Sequence, residues 1–249
     1  MFGMIDPAGS SVVRRRVLWR LASASRWAAI LAAIAVVGVA GYALARPGPT
    51  QADSPVSQPA GGLIGQPGGR PRQPRVGIVA GHWGNDSGTL CDDGLTELEV
   101  NLTAARRVKA LLEARRYHVD LLEEFDPRLS GYAADALVSI HADSCEYIND
   151  LATGFKVARS AASFVPDTED RLVECLIEQY AAATGLGFHE NSITLDMTSY
   201  HTFDEVAPDT PAAIIETGFI NLDRPLLAGQ SNRVASGIAD GIVCFIESR

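Results

Sequence analysis

Four side chains in this sequence could do chemistry together: His82, Glu97, His141 and Glu216. His82 ends the apolar run 76–81, His141 ends the run 136–140, and Glu216 ends the run 212–215. Glu97 opens a stretch with helical spacing of its apolar residues. In open α/β sheets the ligand crevice lies at the carboxyl ends of the parallel strands. Two imidazoles and a carboxylate meeting there would make a three-ligand site for Zn2+, with a fourth position left for water or substrate. A second carboxylate close by would be the base that hydrolysis at such a centre needs. Each residue alone has a plainer reading. A histidine at a strand end is usually a satisfied polar group, and a glutamate opening a helix usually complements the helix dipole. Four coinciding at one sheet edge favour the chemical reading.

The elements that must position these residues are legible from periodicity. The apolar run 76–81 reads as a central strand, followed by a turn-rich loop at 84–88. Leu98, Leu102, Ala105, Val108, Leu111 and Leu112 recur at helical spacing across 97–115, and Thr96 stands where it can cap that helix. Strands are expected at 118–122, 137–142, 154–158 and 212–215. Helices are expected at 127–134, 168–184 and 226–246. This alternation predicts a single α/β domain with a mixed, mostly parallel sheet flanked by helices on both faces.

The sequence has 249 residues and a net charge of −9, unevenly distributed. Residues 1–75 hold nine arginines against Asp6 and Asp53, whereas 76–249 hold 12 basic against 28 acidic residues. A domain this acidic is a poor partner for nucleic acid, whose phosphates need clustered Lys and Arg. The span 27–45 is uncharged and rich in Ala, Val, Ile and Leu. As a helix it would be roughly 28 Å long, close to the hydrocarbon thickness of a bilayer. Arg14, Arg15, Arg16, Arg20 and Arg26 precede it, which predicts a cytoplasmic basic arm at 1–26 and an extracytoplasmic remainder. An uncleaved transmembrane anchor is the expectation. Ala43-Leu44-Ala45 leaves open the alternative, a cleaved signal segment and a secreted protein. The stretch 46–75, with seven Pro, six Gly and no aromatic residue, reads as a flexible linker. The catalytic domain is then 76–249.

Four cysteines follow the apolar span: Cys91, Cys145, Cys175 and Cys244. Outside the membrane they can be oxidised. If His82 and His141 hold one metal ion, Cys91 and Cys145 lie at the same rim, and we expect them to pair. Cys175 and Cys244 are either a second bridge or two buried thiols.

Taken in order, Gly81-His82, Gly94-Leu95-Thr96-Glu97 with Asn101-Leu102, Ser139-Ile140-His141-Ala142-Asp143 and Pro211-Ala212-Ala213-Ile214-Ile215-Glu216-Thr217-Gly218-Phe219 resemble the zinc-dependent N-acetylmuramoyl-L-alanine amidases of the amidase-3 group. The resemblance implies His82, Glu97 and His141 as zinc ligands and Glu216 as the catalytic glutamate. It implies hydrolysis of the amide between N-acetylmuramic acid and L-alanine in bacterial peptidoglycan. The alternatives are a zinc hydrolase of another cell-wall amide or peptide bond, or a non-catalytic wall-binding domain. Peptidoglycan and the membrane are the expected partners, and a protein regulator is left open. The chain departs from the family pattern at Trp83, where the family has small glycines, and at Asn221-Leu222-Asp223. Trp83 is a candidate for the sugar subsite or a cover for the sheet edge. His201 is a candidate for bonding substrate or for supporting Glu216, with an ordinary surface histidine as the plainer reading. Ser139 is expected to face away from the site. Some relatives carry a long helical insertion after the third ligand that plugs the site; here 143–153 is too short for one.

Overall fold

The computed structural model describes residues 72–248. The expected basic arm 1–26, the apolar span 27–45 and all but the end of the linker 46–75 lie outside the described residues. Among the described residues no helix is long and apolar enough to cross a membrane.

Five strands form one sheet: β1 (Arg75–Ala80), β2 (His118–Leu122), β3 (Ala136–Asp143), β4 (Lys156–Ala158) and β5 (Ala212–Phe219), in the order β2-β1-β3-β5-β4. β1, β2, β3 and β5 are parallel, and β4 runs antiparallel on the β5 edge. The strand order dictates how the two faces are covered. The chain steps from β1 to β2 through helix α1 (Glu97–Ala114), then returns past β1 to β3. Right-handed connections made in opposite directions must cross opposite faces of the sheet. The return, 123–135, holds only a 3₁₀ turn at Pro127–Leu129, shorter than the helix expected over 127–134.

The faces are therefore unequal. Two further long helices, α2 (Pro166–Thr184) and α6 (Ser231–Glu247), join α1 on one side, and both α1 and α2 pack on α6. Val76, Ile78, Val138, Ile140, Ala213 and Ile215 meet them there, alternate residues of each strand, as a pleated strand requires. The intervening residues Val79, Leu137 and Ala212 pack on Leu129, Tyr132 and Val206 on the other side. Ala158 and Ile214 pack on Met197. That second layer is built from connecting segments and from the short helices α3 (Leu195–Thr198) and α4 (Thr202–Glu205). The expectation of flanking helices on both faces holds only in this reduced sense. The closing helix expected over 226–246 is broken into α5 (Arg224–Leu227) and α6.

α1 begins on a capping box. Thr96 Oγ1 accepts from the Glu99 amide at 3.2 Å, and the Glu99 carboxylate accepts from the Thr96 amide at 3.0 Å. This fixes where the helix starts, and so where Glu97 stands.

α2 and α6 approach closely because α6 is glycine-faced. A Cβ on Gly241 would lie 2.9 Å from Leu176 Cα, and one on Gly237 2.9 Å from Tyr180 Cα. The Cys175–Cys244 disulfide joins the same two helices, settling the open pairing as a second bridge. Alanine in place of a mid-helix glycine normally stabilises by about 0.5–1 kcal/mol. Here overpacking of about 1–3 kcal/mol outweighs that gain. Gly241→Ala should therefore lower the melting temperature; a rise would contradict the close-packing account.

Candidate metal centre

β1 and β3 end on the two histidines, and α1 begins on the glutamate. One ligand atom from each of His82, Glu97 and His141 falls within 4.8 Å of the others. Glu97 Oε1 is the meeting point, 3.1 Å from His82 Nε2 and 3.2 Å from His141 Nδ1. Asn101, one turn along α1, donates to the same oxygen at 3.1 Å, and the Ala142 amide approaches it at 3.3 Å. Burial alone would raise the Glu97 carboxyl; His141 and His82 outweigh it and hold the group well below the usual carboxylate range.

The outward nitrogens are also taken. His82 Nδ1 lies 2.6 Å from Asp86 Oδ1. His141 Nε2 lies 3.3 Å from the Tyr200 hydroxyl and 3.4 Å from Glu124 Oε2. Imidazole ligands of metal ions commonly carry a carboxylate or hydroxyl partner on the far nitrogen, which fixes ring and tautomer. Burial lowers the His141 pKa, but the neighbouring Glu124 and Glu97 push it up to about 10. His82 is also raised, chiefly by Glu97. A cation would displace those protons on binding. The donor set, two inward imidazole nitrogens and an ionised carboxylate with supported outer shells, fits a divalent metal such as zinc.

The backbone brings the three residues together. His82 is one of the two non-glycine residues of the described chain at positive φ, +68°, and this turns its ring off the end of β1. A Cβ on Gly81 would come within 2.6 Å of His141 Nδ1, so only glycine leaves room for that ring. The register of β3 on β5 shifts just after His141. Such irregularities bend a strand and re-aim its side chains. Thr217 Oγ1 ties β5 to the His141 carbonyl at 2.9 Å.

Glu216 is the register neighbour of His141 on β5. Its Oε2 is buried and has no hydrogen-bond partner among the described residues. Burial pushes its carboxyl up to about 7; His141 opposes the rise and Asp143 adds to it. On the other side, Glu216 pairs in register with Lys156 of β4, which is almost wholly buried and donates to Asp143 Oδ1 at 2.8 Å.

The other candidates fall at varying distances from this centre. Trp83 is half-buried and packs against the main core. His201 does not support Glu216. It lies 3.0 Å from Glu124 and 2.7 Å from Glu205, and stacks on Phe125. Ser139 does not face away: residues two apart share a strand face, and Ser139 sits near the Tyr200 hydroxyl on the side of His141. Cys91 and Cys145 are joined, tying the loop between His82 and Glu97 to the loop after His141. In the departing segment Asn221-Leu222-Asp223, Asp223 accepts from the Phe219 and Gly154 amides, both at 3.0 Å, and so closes the turn after β5.

Glu124, Tyr200, Asp86 and Lys156 were not foreseen from sequence. Glu124 stands two residues past the end of β2, another parallel strand. The strand-end rule that found the histidines would have found it too.

A profile described as N-acetylmuramoyl-L-alanine amidase (Amidase_3) matches residues 76–247. The chain is similar to N-acetylmuramoyl-L-alanine amidase AmiC of Neisseria meningitidis, 30% identical over 223 residues, covering 71% of this chain and 54% of that protein. It thus spans about half the length of that curated relative. Its fold is similar to that of AmiC2 of Nostoc punctiforme, with 25% identity and a TM-score of 0.54 over 70% of this chain and 97% of that one. Ami1 of Mycobacterium smegmatis shares the fold at 20% identity, with a TM-score of 0.57 over 70% of this chain and 97% of that one. With the profile spanning the sheet, its three long helices and all four candidate residues, the chain belongs to the N-acetylmuramoyl-L-alanine amidase family.

Proposed function

We propose that the protein hydrolyses the amide between the lactyl group of N-acetylmuramic acid and the L-alanine of the stem peptide in bacterial peptidoglycan. The observation that carries this is the convergence of His82, Glu97 and His141 one strand away from a buried Glu216 whose carboxyl pKa is raised by that burial, in a chain of this family. Zn2+ held by His82 Nε2, Glu97 and His141 Nδ1 would supply Lewis acidity, polarising the amide carbonyl and making water more acidic.

The chain's own residues do the rest. Glu216 takes a proton from the attacking water as its oxygen bonds to the carbonyl carbon. It then gives that proton to the nitrogen as the C–N bond breaks, so a lactyl carboxylic acid and a free alanine amine result, and the acid's proton passes to the amine to leave a carboxylate and an ammonium. A carboxyl whose pKa lies near 7 is matched to both transfers at neutral pH. Beside it, the buried Lys156 donates to the half-buried Asp143 and keeps a fixed charge arrangement at the ends of β3 and β5. Asp86 and Asn101 hold His82 and Glu97 in place.

On this reading the domain 76–249 works outside the cell membrane. The span 27–45 anchors it there, and the linker 46–75 gives it reach into the wall. The stretch 144–155 after β3 forms no helix. Asp150 there accepts from the Tyr147 hydroxyl at 2.8 Å. Neither Glu146 nor Asp150 belongs to the ligand cluster. The site is therefore open to substrate without a release step.

Two outcomes follow. Incubated with purified wall sacculi and no added protein, the chain should release intact stem peptides with a free L-alanine terminus, read by mass. Release of peptides cut within the stem would point to a different wall amide, and complete inactivity would favour a binding role. Glu216→Gln should bind zinc as the parent does but lose about 10²–10⁴-fold in turnover. Near-parental turnover would place the base elsewhere.

A further inference from the structure

Glu124 is buried to 5% exposure, and its carboxylate is surrounded by four polar groups. Its Oε2 accepts from the His82 backbone amide at 2.7 Å and lies 3.4 Å from His141 Nε2. Its Oε1 accepts from the Tyr200 hydroxyl at 2.7 Å and lies 3.0 Å from His201 Nε2. Two of these partners are the ligand histidines; two come from the segment leading into α4. Nothing in the proposed chemistry uses this carboxylate, and a carboxylate so enclosed is costly unless every lone pair has a partner.

We propose that Glu124 is the positioning residue for both histidine ligands, holding one through its ring and the other through its backbone. The inference rests on the metal-centre reading above. The two actions are distinct. At His141, a carboxylate facing Nε2 keeps the proton there and leaves the Nδ1 lone pair directed at Glu97 and His82. At His82, the backbone amide lies past the end of β1 at positive φ, where no strand partner takes it. Glu124 Oε2 accepts from it instead and so stabilises the turned conformation that swings the ring inward. His201, itself held by Glu205 at 2.7 Å and stacked on Phe125, braces Glu124 from behind. The segment 200–205 thus bears on the metal centre through one carboxylate, without supplying a ligand.

The test is zinc affinity, measured on the full-length chain by competition with a chromophoric chelator, alongside the melting temperature of the metal-free protein. Glu124→Gln keeps the size and one acceptor oxygen, but it removes the charge facing His141 and places an NH2 group either against the His82 amide and the His141 Nε2 proton or against the Tyr200 hydroxyl and His201. It should weaken zinc binding by about 10–100-fold, the usual cost of losing an outer-shell partner. Glu124→Asp, which keeps both acceptors on a shorter stem, should recover part of that loss. His201→Gln should weaken binding less than Glu124→Gln. Unchanged zinc affinity in Glu124→Gln, or a fall in melting temperature with no change in affinity, would overturn the proposal and leave the metal-centre reading intact. Failure of the parent chain to take up zinc would overturn both.

Discussion

One buried carboxylate sets the terms for the rest of this molecule. Glu97 sits at the first turn of α1, 6% exposed, with its Oε1 facing His82, His141, Asn101 and the Ala142 amide. Withdrawing an ionised carboxylate from water is expensive, and the cost must be met by donors or cations around it. The protein supplies imidazoles on one side and an amide side chain and backbone on the other. That arrangement is possible only if α1 starts where it does, if β1 and β3 end level with that start, and if the chain after β1 turns sharply. The capping box of Thr96 and Glu99, the parallel register of β1 on β3, and the positive φ of His82 each meet one of these requirements.

The centre is built from segments far apart in sequence, and separate devices hold each in place. The Cys91–Cys145 bridge spans 54 residues and joins the two loops that flank the ligands. Closing a loop of that length removes on the order of 4 kcal/mol of denatured-chain entropy in the simplest account. Thr217 Oγ1 donates to the carbonyl of His141 and so ties β5, with Glu216 beside it, to the end of β3. Among the described residues the face opposite the long helices is covered only by short segments, and one of these presents Tyr200 to His141. The thin layer thus brings a polar side chain within reach of that imidazole.

Much of this was legible in the chain itself. The apolar runs and their terminal histidines identify β1 and β3, the helical spacing after Glu97 identifies α1, and the position of the site follows from parallel-sheet topology. Cys91 and Cys145 could be paired by arguing from the ligands they flank. What escaped has specific causes. The unequal covering of the faces depends on strand order, which no local pattern reveals. The helix expected over 127–134 shrinks to one turn because the return to β3 must cross the sheet in few residues. His201 lies against Glu124, not the Glu216 that one of its open readings named, although the rule that a parallel strand ends at the site applies to Glu124 as it does to the histidines. Ser139 was misplaced by an error in strand periodicity. The tight α2–α6 contact rests on Gly237 and Gly241, which in sequence read only as weak points in a helix.

The central claim is that His82, Glu97 and His141 bind one metal ion through three stated atoms. The most direct test is diffraction from crystals of the zinc-loaded protein, recorded on both sides of the zinc absorption edge. The account predicts one anomalous peak per chain, bounded by His82 Nε2, His141 Nδ1 and a Glu97 oxygen, with Asp86 and Glu124 on the outward nitrogens. No peak at that position, or a peak bound through His141 Nε2 with Glu124 as a ligand, would contradict it.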